Sequence, residues 1–574
     1  MAERTLGSPP SMNAELRPGT PGSLLPLLLA LAALPALAAP APQGPDVIAA
    51  GSSDAAASIR PEAISAHIRF LADDLLEGRA AGERGFDLAA AYVASQLQGM
   101  GLEPAGDEGG WFQAMTLRGG RVRASRLEVG TPGGEAVALT SGRDYLARAS
   151  LAEGVADLTA PAVYVGYGIV APEYRWDDLA GVDLKGKWAV VLVGAPLGTT
   201  PDFFPPLPSA VYGSPRRKLE ALQARGVAGV LWVQTPAREA VFPFATMAAN
   251  AQRGVMALVE NGAVPARESI PQAGLSMPGA DALLAAAGRT ERLSSLLAAA
   301  ERREHTPFAL GTQVHLRSEA TLRTLRTANV VGLWRAAPGS PAAGERVVYT
   351  AHLDHLGIGA PENGDTIYNG ASDNAAGVAN VLEIARAYTR LPQRPRRGIL
   401  FVLVSGEEEG LLGSEWFVAH PPVRREALVA DVNADSGLPV FTPREMVAIG
   451  SEESTLRDDA ERAATALGLR LGSDPEPRQA SAVRSDQYSF LRAGIPGTAT
   501  RVGPGGASDR ERAEADAFRK AHYHRAADHW EPDRDYGPAT VLARFQFLLG
   551  LSAAERPERP ALLPGSFFQP RPGS

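Results

Sequence analysis

The sequence contains no cysteine among its 574 residues, and this absence excludes several kinds of site. Disulfide frameworks, thiolate nucleophiles, zinc fingers and iron–sulfur clusters all require cysteine. A lipid anchor attached to an N-terminal cysteine is excluded for the same reason. Any metal ion must therefore be held by His, Asp and Glu.

A surplus of basic residues is also missing. The formal net charge is −8 and the sequence pI is about 5.7. Because no basic excess is present to neutralise a phosphate backbone, we expect no nucleic-acid partner. Hydrophobic residues make up 45% and charged residues 21%, as in ordinary soluble globular proteins. The length predicts more than one domain.

Long apolar runs are absent after residue 39. The run at residues 23–39 comes after Arg17 and ends in Ala36-Leu37-Ala38, a pattern typical of a secretory signal peptide. Its roughly 16 apolar residues fall short of the number that spans a bilayer. We therefore predict a signal peptide at residues 1–38, no stable membrane insertion after processing, and an exported protein, periplasmic or secreted. An uncleaved anchor is the alternative.

The rest of the chain divides into segments of different pattern. Residues 60–150 begin with two amphipathic helical patterns, and we expect the sheet that these helices cover to lie outside this segment. Residues 155–320 contain short β-branched runs bounded by glycine. Residues 325–555 alternate strands and helices, and ILFVLV (399–404) is typical of a central parallel strand. We predict an α/β domain built from 60–150 and 325–555, with a mixed, mostly parallel sheet flanked by helices. Residues 155–320 are inserted in it, and 556–574 form a Pro-rich disordered tail.

Chemically active side chains come after the predicted strands of the last segment. They are His352, Asp373, Glu408, Asp435 and, far downstream, His524. Because sites in open α/β sheets form at the carboxyl ends of the strands, we expect these side chains to meet. Taken singly, each has a plainer explanation: a helix N-cap, a solvated acidic turn, or a buried or surface histidine.

Imidazole and carboxylate groups suit divalent zinc, cobalt or manganese. Five such side chains can hold two ions if one carboxylate bridges them. Three carboxylates and one hydroxide would balance two divalent cations, whereas bare carboxylates would repel one another. The sequence has neither H-E-x-x-H nor G-x-S-x-G, so a helix-borne zincin and the common serine-hydrolase elbow are excluded.

The stretches that carry these residues resemble the M28 family of co-catalytic zinc peptidases, which are mainly aminopeptidases. They are AHLDHLG (351–357), NGASDNAAGVA (369–379), GEEEGLLGS (406–414), VNAD (432–435), RSDQYSFLRAGIP (484–496) and YHRAAD (523–528). LEGRAAGERG (76–85) and GLEPAG (101–106) resemble the N-terminal part of the same catalytic domain. VGYGIV (165–170) and DLKGK (183–187) resemble a β-rich protease-associated (PA) insertion.

The resemblance implies a role for each residue. His352 and Asp435 would hold one ion, Glu408 and His524 the other, and Asp373 would bridge them. Glu407 would be the general base, Asp354 would orient His352, and the Asp373-Asn374 peptide would be cis. The implied cofactors are two divalent metal ions, with Zn²⁺ expected, and the implied substrate is a peptide or small aminoacyl compound.

The implied function is a metal-dependent exopeptidase that removes N-terminal residues through an activated water. Residues 203–206 (FFPP) are expected at the rim of the cleft, and Ser485, Asp486 and Tyr488 are candidates for its wall. A glutaminyl cyclase or a carboxypeptidase on the same fold is one alternative, and a non-catalytic binding protein is another. Cyclases of this fold use one zinc ion, and non-catalytic relatives lose ligands or the base. The sequence does not indicate an oligomeric state.

Overall fold

The computed structural model describes residues 48–130, 134–196, 203–477 and 481–569. The predicted signal peptide at 1–38 lies outside the described residues. Within them, helices α1 to α15 are, in chain order, Ser52–Ala57, Pro61–Leu71, Arg84–Gly99, Pro206–Gly213, Pro215–Ala224, Pro236–Val241, Phe244–Asn250, Met277–Ala286, Leu293–Glu301, Ala376–Thr389, Leu412–Ala419, Leu456–Ala466, Gln487–Arg492, Asp509–His522 and Gly537–Glu555.

Strands β1 to β20 in the same residues are Glu103–Pro104, Phe112–Gly130, Val137–Leu139, Tyr145–Ala147, Val155–Tyr164, Val170–Ala171, Trp176–Asp177, Trp188–Leu192, Gly229–Val233, Val255–Leu258, Gln272–Leu275, Phe308–Trp334, Arg346–His352, Gly357–Glu362, Asp365–Tyr368, Gly398–Val404, Leu428–Asn433, Glu445–Ile449, Arg470–Gly472 and Gly497–Val502.

One long sheet joins most of these strands, in the order β19-β18-β20-β17-β13-β16-β12-β5-β8-β9-β11-β4. Strand β13 is parallel to both β16 and β17, and β17 is parallel to β20. Strand β12 is antiparallel to its neighbours β16 and β5. The predicted class, a mixed and mostly parallel sheet with flanking helices, is confirmed.

Helices from both ends of the chain cover the half of the sheet around β13 and β16. Proline at its first position starts α2, where the missing amide is not needed. Helix α2 buries Ile64 and Ile68, and these share one hydrophobic cluster with Val347 and Phe401 of the sheet. The early helices therefore cover a sheet formed more than 200 residues later, because burial of their apolar faces requires it.

The half of the sheet beyond β12 has its own core. Strands β5, β8, β9 and β11 are parallel, and Trp188 is fully buried among them. Helices as well as strands occur in this region, and the PA assignment stays a prediction. The predicted domain boundaries stay a prediction too; β4, which they assign to the catalytic side, pairs here with β11.

Two segments differ from expectation. Residues 206–213, which begin at the last proline of the expected FFPP rim, form helix α4, and Phe204 packs against Trp176 in the core of the insert, with ring centroids 4.9 Å apart. Phe203 and Phe204 are therefore core anchors of the insert and no rim of a cleft. In the expected tail, residues 556–569 contact the rest of the protein: Phe568 is buried, and the Arg397 guanidinium donates to the Glu558 carbonyl at 3.1 Å.

Of the helices in the described part of the chain, none has both the length and the hydropathy needed to cross a bilayer.

Candidate metal centre

Three neighbouring parallel strands end at one edge of the sheet. His352 is the last residue of β13, Glu407 and Glu408 lie in the loop after β16, and Asp435 lies two residues beyond β17. The register pairs His352 with Val404, so β13 and β16 end at the same level. Parallel pairing therefore gathers these side chains, as expected for the carboxyl edge of an α/β sheet.

Asp373 reaches the same edge from a tight turn. Residues Ala371–Ala375 form a single π-turn in front of α10, and the Asp373-Asn374 peptide bond is cis, as the family resemblance implies. The carboxylate of Asp528 accepts hydrogen bonds from the backbone amides of Ser372 at 2.9 Å and Asp373 at 3.1 Å. Asp528 thus holds the turn that presents Asp373.

The carboxylate of Asp373 lies between two histidines. Its Oδ1 is 3.1 Å from Nε2 of His352, and its Oδ2 is 3.1 Å from Nε2 of His524. Nε2 of His352 also lies 3.6 Å from Asp435 Oδ1, and Nε2 of His524 lies 3.2 Å from Glu408 Oε2. All five predicted side chains therefore meet, as two pairs with Asp373 shared between them.

The carboxylates of the cluster favour positive charge on the groups around them. Burial would lower the pKa of His352, but Glu407, Asp373 and Asp435 raise it well above its usual value. Burial would likewise lower the pKa of His524, yet Glu408 and Asp373 raise it to about 10. The imidazoles thus take up protons because the buried carboxylates need cations nearby.

The donor set fits divalent metal ions. Atoms of His352, Asp373 and Glu408 that could each ligate an ion lie within 4.8 Å of one another. Nε2 of His352 is buried and has no well-directed hydrogen-bond partner among the described residues. Imidazole nitrogen and carboxylate oxygen are ligands that zinc accepts. A metal-binding His/Asp/Glu group is therefore present at this edge.

Glu407 is the buried acid beside the cluster. Burial raises the pKa of Glu407 well above its usual range, Asp435 and Glu408 raise it further, and the charge of His352 opposes them. Its carboxyl group thus interacts electrostatically with residues from both pairs.

Asp354 supports the acidic loop. Its carboxylate accepts hydrogen bonds from the backbone amides of Glu407 at 3.2 Å and Glu408 at 3.3 Å. Nδ1 of His352 lies 3.1 Å from the main-chain oxygen of Asp354, which is the atom that orients the imidazole. Asp354 thus contacts the imidazole that it is expected to orient through its main-chain carbonyl.

Several supporting residues were not predicted from the sequence. Nδ1 of buried His355 lies 2.8 Å from Glu408 Oε1, and Ser485 Oγ donates to Asp435 Oδ2 at 2.5 Å. His355 and Asp528 lie inside the motifs AHLDHLG and YHRAAD. Their position within these motifs was the sequence signal that could have identified them. Ser485, a candidate for the wall of the cleft, lines the cavity beside Asp435 and also orients that carboxylate; Tyr488 packs against Phe568.

Arg79 joins the early helices to the site. Its buried guanidinium donates to the main-chain carbonyls of Leu353 at 2.9 Å, Asn369 at 2.6 Å and Gly370 at 3.0 Å, and to that of Leu71. Burial lowers the pKa of Arg79 to about 10, and the negative charge of Asp528 opposes the shift. One side chain thus fixes the loops that carry His352 and Asp373.

Two cavities approach the cluster. One of about 470 Å³ is lined by Asp373 and Asp435 together with Leu438, Phe441 and Tyr523. Another of about 850 Å³ reaches Glu408 from the side of Asp354 and His355. The first cavity gives direct access to the shared carboxylate.

The chain resembles known proteins in sequence and in fold. Residues 329–540 match the profile of "Peptidase family M28". An aminopeptidase from Aneurinibacillus sp. strain AM-1 has a similar fold, with a TM-score of 0.51 and 18% identity over 89% of this chain and 98% of the other. BSAP, a zinc aminopeptidase from Bacillus subtilis, aligns with a TM-score of 0.43 and 18% identity over 87% of this chain and 96% of that one.

The curated relatives match a shorter stretch. Proteins named vacuolar membrane protease from Ajellomyces dermatitidis and Aspergillus clavatus are 31% and 33% identical over 88 residues, which is 15% of this chain. The match covers 8% of the length of each relative. The predicted periplasmic or secreted location is wrong by this comparison, because the relatives are named for a vacuolar membrane.

The profile match spans every residue of the cluster, from His352 to His524, and the fold agrees with it. Residues 329–540 are therefore similar to peptidase family M28.

Proposed function

We propose that this protein is a metal-dependent aminopeptidase that hydrolyses the first peptide bond of a peptide or small aminoacyl substrate with the help of two divalent ions, zinc being expected. The observation that carries the proposal is the Asp373 carboxylate, whose two oxygens each face a histidine at 3.1 Å. A carboxylate in this position can bridge two ions, which a single-ion site would not require.

In the proposed arrangement, His352 and Asp435 would hold one ion, His524 and Glu408 would hold the other, and Asp373 would be shared between them. When bound, the pair would supply Lewis acidity for the scissile carbonyl and a more acidic water. His355 and Ser485 keep Glu408 and Asp435 in place through hydrogen bonds of 2.8 and 2.5 Å.

Glu407 acts as the general base in this proposal. It takes a proton from the attacking water and returns it to the nitrogen of the leaving amine. Asp354 fixes the backbone on which Glu407 stands, through the amides of Glu407 and Glu408. A substrate with a free, positively charged α-amine is favoured in this acidic setting over one with a neutral blocked amide.

The fold also supports a proposal for domain organisation. Residues 60–150 and 325–555 would form the catalytic domain, with 155–320 as a PA insertion. The hydrophobic cluster shared by Ile64, Phe86, Val347 and Phe401 supports the joining of the two catalytic segments.

The proposed function is tested by measuring the hydrolysis of a set of substrates together with the number of metal ions bound per chain. Leucine and alanine p-nitroanilides should be hydrolysed, their N-acetyl forms should not, and a chelator should abolish turnover. Elemental analysis should find two ions per chain, reduced in Asp373→Ala but unchanged in the matched control Asp365→Ala, whose residue lies exposed on β15.

Each alternative gives a different result. Hydrolysis of blocked substrates alone would overturn the aminopeptidase assignment. One ion per chain with cyclisation of N-terminal glutamine would indicate a glutaminyl cyclase. Two ions without turnover of any peptide would indicate a binding protein.

A further inference from the structure

The cavity of about 470 Å³ beside Asp373 and Asp435 is rich in arginine. Its lining contains Arg484, Arg501, Arg512 and Arg519, and its other carboxylates are Glu476 and Asp516. Asp373 and Asp435 face the histidines of the metal centre and belong to it. The lining thus carries an excess of positive charge beyond the centre itself.

Three of these arginines come from separate elements. Arg484 precedes α13, Arg501 lies on β20, and Arg519 lies on α14. In the described ranges, no carboxylate oxygen lies within 4.0 Å of their side-chain nitrogens, whereas Arg512 pairs with Asp509. Three parts of the catalytic segment therefore bring unpaired guanidinium groups to one cavity.

Two of the three arginines, Arg484 and Arg519, contact aromatic rings. Cζ of Arg484 lies 4.9 Å from the ring centroid of Phe242, and Cζ of Arg519 lies 4.9 Å from that of Tyr523. Such contacts orient a guanidinium and leave its N–H groups free for an anion. The rings thus hold Arg484 and Arg519 in place without neutralising them.

A further arginine approaches from the insert. Cζ of Arg238, on α6, lies 3.9 Å from the centroid of the same Phe242 ring. Burial lowers the pKa of Arg238 to about 10, and the charge of Arg484 lowers it further. Burial also lowers the pKa of Arg501, and Arg519 adds to this shift, while Asp474, Glu476 and Asp435 oppose it.

Like charges gathered in a partly buried cavity are unfavourable unless an anion joins them. Guanidinium groups bind carboxylates with paired hydrogen bonds, and Leu438 and Phe441 in the same lining can contact an apolar stem. Asp373 of the proposed metal centre and the arginines line this one cavity, so a peptide that enters it can contact both.

We propose that this cavity selects peptides that carry a free carboxylate beyond the scissile bond, bound by Arg501 and Arg484. The inference rests on the proposed function, since it names the substrate class of the same site. The carboxylate is that of an acidic side chain or of the C-terminus of a short peptide, and both sources share the chemistry that the arginines recognise.

Matched substrates test the proposal with the metal-loaded protein. Ala-Asp amide and Ala-Asn amide differ only in the side-chain carboxylate, and Ala-Leu and Ala-Leu amide differ only in the terminal one. We expect kcat/KM to be about tenfold higher for the charged member of at least one pair, as one charge-assisted contact gives. The pair that shows the preference identifies the source, and added salt should reduce it.

Variants assign the effect to the arginines. Arg501→Gln and Arg484→Gln should each reduce the preference to about twofold, while Arg501→Lys should retain part of it. The matched control is Arg510→Gln on α14, whose side chain is exposed and pairs with Glu514. It should leave all four kcat/KM values unchanged. Thermal melting and metal content establish that each variant is folded and loaded.

Binding separates this inference from the proposed function. Isothermal titration of the same four compounds into metal-loaded Glu407→Gln protein reports affinity without turnover. Equal affinity and equal kcat/KM within both pairs would overturn the carboxylate site and leave the aminopeptidase standing. A binding preference without turnover of any compound by the wild-type protein would support the carboxylate site and overturn the proposed function.

Discussion

The two halves of the long sheet share their construction and differ in the residues that come after their strands. On the catalytic side, β16 is buried along its whole length, and so is β8 on the side of the insert. Both halves present a row of parallel strand ends, which is where α/β proteins place their sites. The two halves differ in the residues that surround these strand ends.

On the insert side, polar groups near the strand ends bond to the main chain. The buried ammonium group of Lys218 donates to the carbonyl of Leu192 at 2.8 Å and to that of Gly194. Thr235 and Ser276 cap the next helices along the chain, accepting from the amides of Arg238 and Gly279.

On the catalytic side, imidazoles and carboxylates face one another, and their support comes from other residues. Asp354, Asp528 and Arg79 make most of the backbone contacts there, so the five convergent side chains can face one another. A strand edge thus becomes a site only when one set of residues fixes its loops and a second set carries the chemistry. Substitutions at each edge can test this division.

The largest effect is expected from Glu407→Gln. Loss of the proposed base should lower kcat by about 10³-fold, since general-base catalysis contributes on the order of 10² to 10⁴. Metal content and melting temperature should stay near those of the wild type, because Glu408 keeps its contacts with His355 and His524. Steady-state kinetics and elemental analysis measure both.

Glu409→Gln is the matched control, two positions along the same loop. Its activity should stay within about threefold of wild type, since no catalytic role falls to Glu409 in the proposal. Full activity in Glu407→Gln, or an equal loss in both variants, would remove Glu407 as the base.

Arg79→Met should produce the largest loss of stability. The change leaves four main-chain carbonyls without their donor and removes the cation beside Asp528 and Asp354. Breaking such a buried charged network costs about 3–5 kcal/mol in the free energy of unfolding. The midpoint of urea unfolding should fall strongly, and metal affinity with it.

Lys218→Met is the counterpart at the insert edge. It removes a donor to two carbonyls, so we expect a smaller loss, about 1–3 kcal/mol, and no change in metal affinity. An Arg79→Met protein as stable as the wild type would show that the carbonyl contacts of Arg79 contribute little.

The sequence predicted the chemistry of the site better than its support. The five side chains of the cluster were recognisable because imidazole and carboxylate groups rarely follow apolar strands except at functional sites. These side chains are His352, Asp373, Glu408, Asp435 and His524. Arg79 was not, because its partners are main-chain carbonyls up to 291 positions away, and carbonyls have no signature in a sequence. The cavity arginines were missed for a related reason: they converge from three elements.

The long ladder of β2 and β12 also escaped prediction. Gly119 and Gly120 suggest a turn, yet both lie inside β2, paired with Arg323 and Leu322. A Cβ at Gly120 would lie 2.5 Å from Leu151 Cδ2, so close packing explains the glycine where a turn was the simpler interpretation. The shorter apolar strands, such as ILFVLV, were predicted because burial on both faces leaves a continuous hydrophobic run.

His355→Gln should weaken metal binding by about 10- to 100-fold, the usual effect of losing a residue that orients a ligand. Nδ1 of His355 lies 2.8 Å from Glu408 Oε1, so the ion held by Glu408 and His524 should be lost first. Competition with a chelator measures the affinity, and excess metal should restore activity.

The control for this variant is His420→Gln. His420 is a more exposed histidine whose Nε2 lies 3.2 Å from Glu260, away from the cluster, so metal affinity should not change. Equal affinities in the two variants would show that Glu408 needs no support from His355.

The smallest effect concerns the pH dependence of stability at the insert edge. Burial lowers the pKa of Lys218 to about 7, from about 10.5 when unfolded, with Asp178 opposing the shift. Between these values the unfolded chain holds a proton that the folded protein lacks, so stability rises with pH in this window and is level below and above it. From pH 7.5 to 8.5 the gain should be about 1.4 kcal/mol for one proton.

Other groups titrate in the same window, so the difference between wild type and Lys218→Met isolates this lysine. Urea unfolding monitored by tryptophan fluorescence should show a shallower rise with pH in Lys218→Met. Lys187→Met, which removes the amine paired with Asp183, should keep the wild-type slope. If Lys218→Met kept that slope as well, the ammonium would remain charged in the fold. The insert edge would then hold a buried positive charge, and the contrast between the two edges would rest on the imidazoles and carboxylates of the cluster alone.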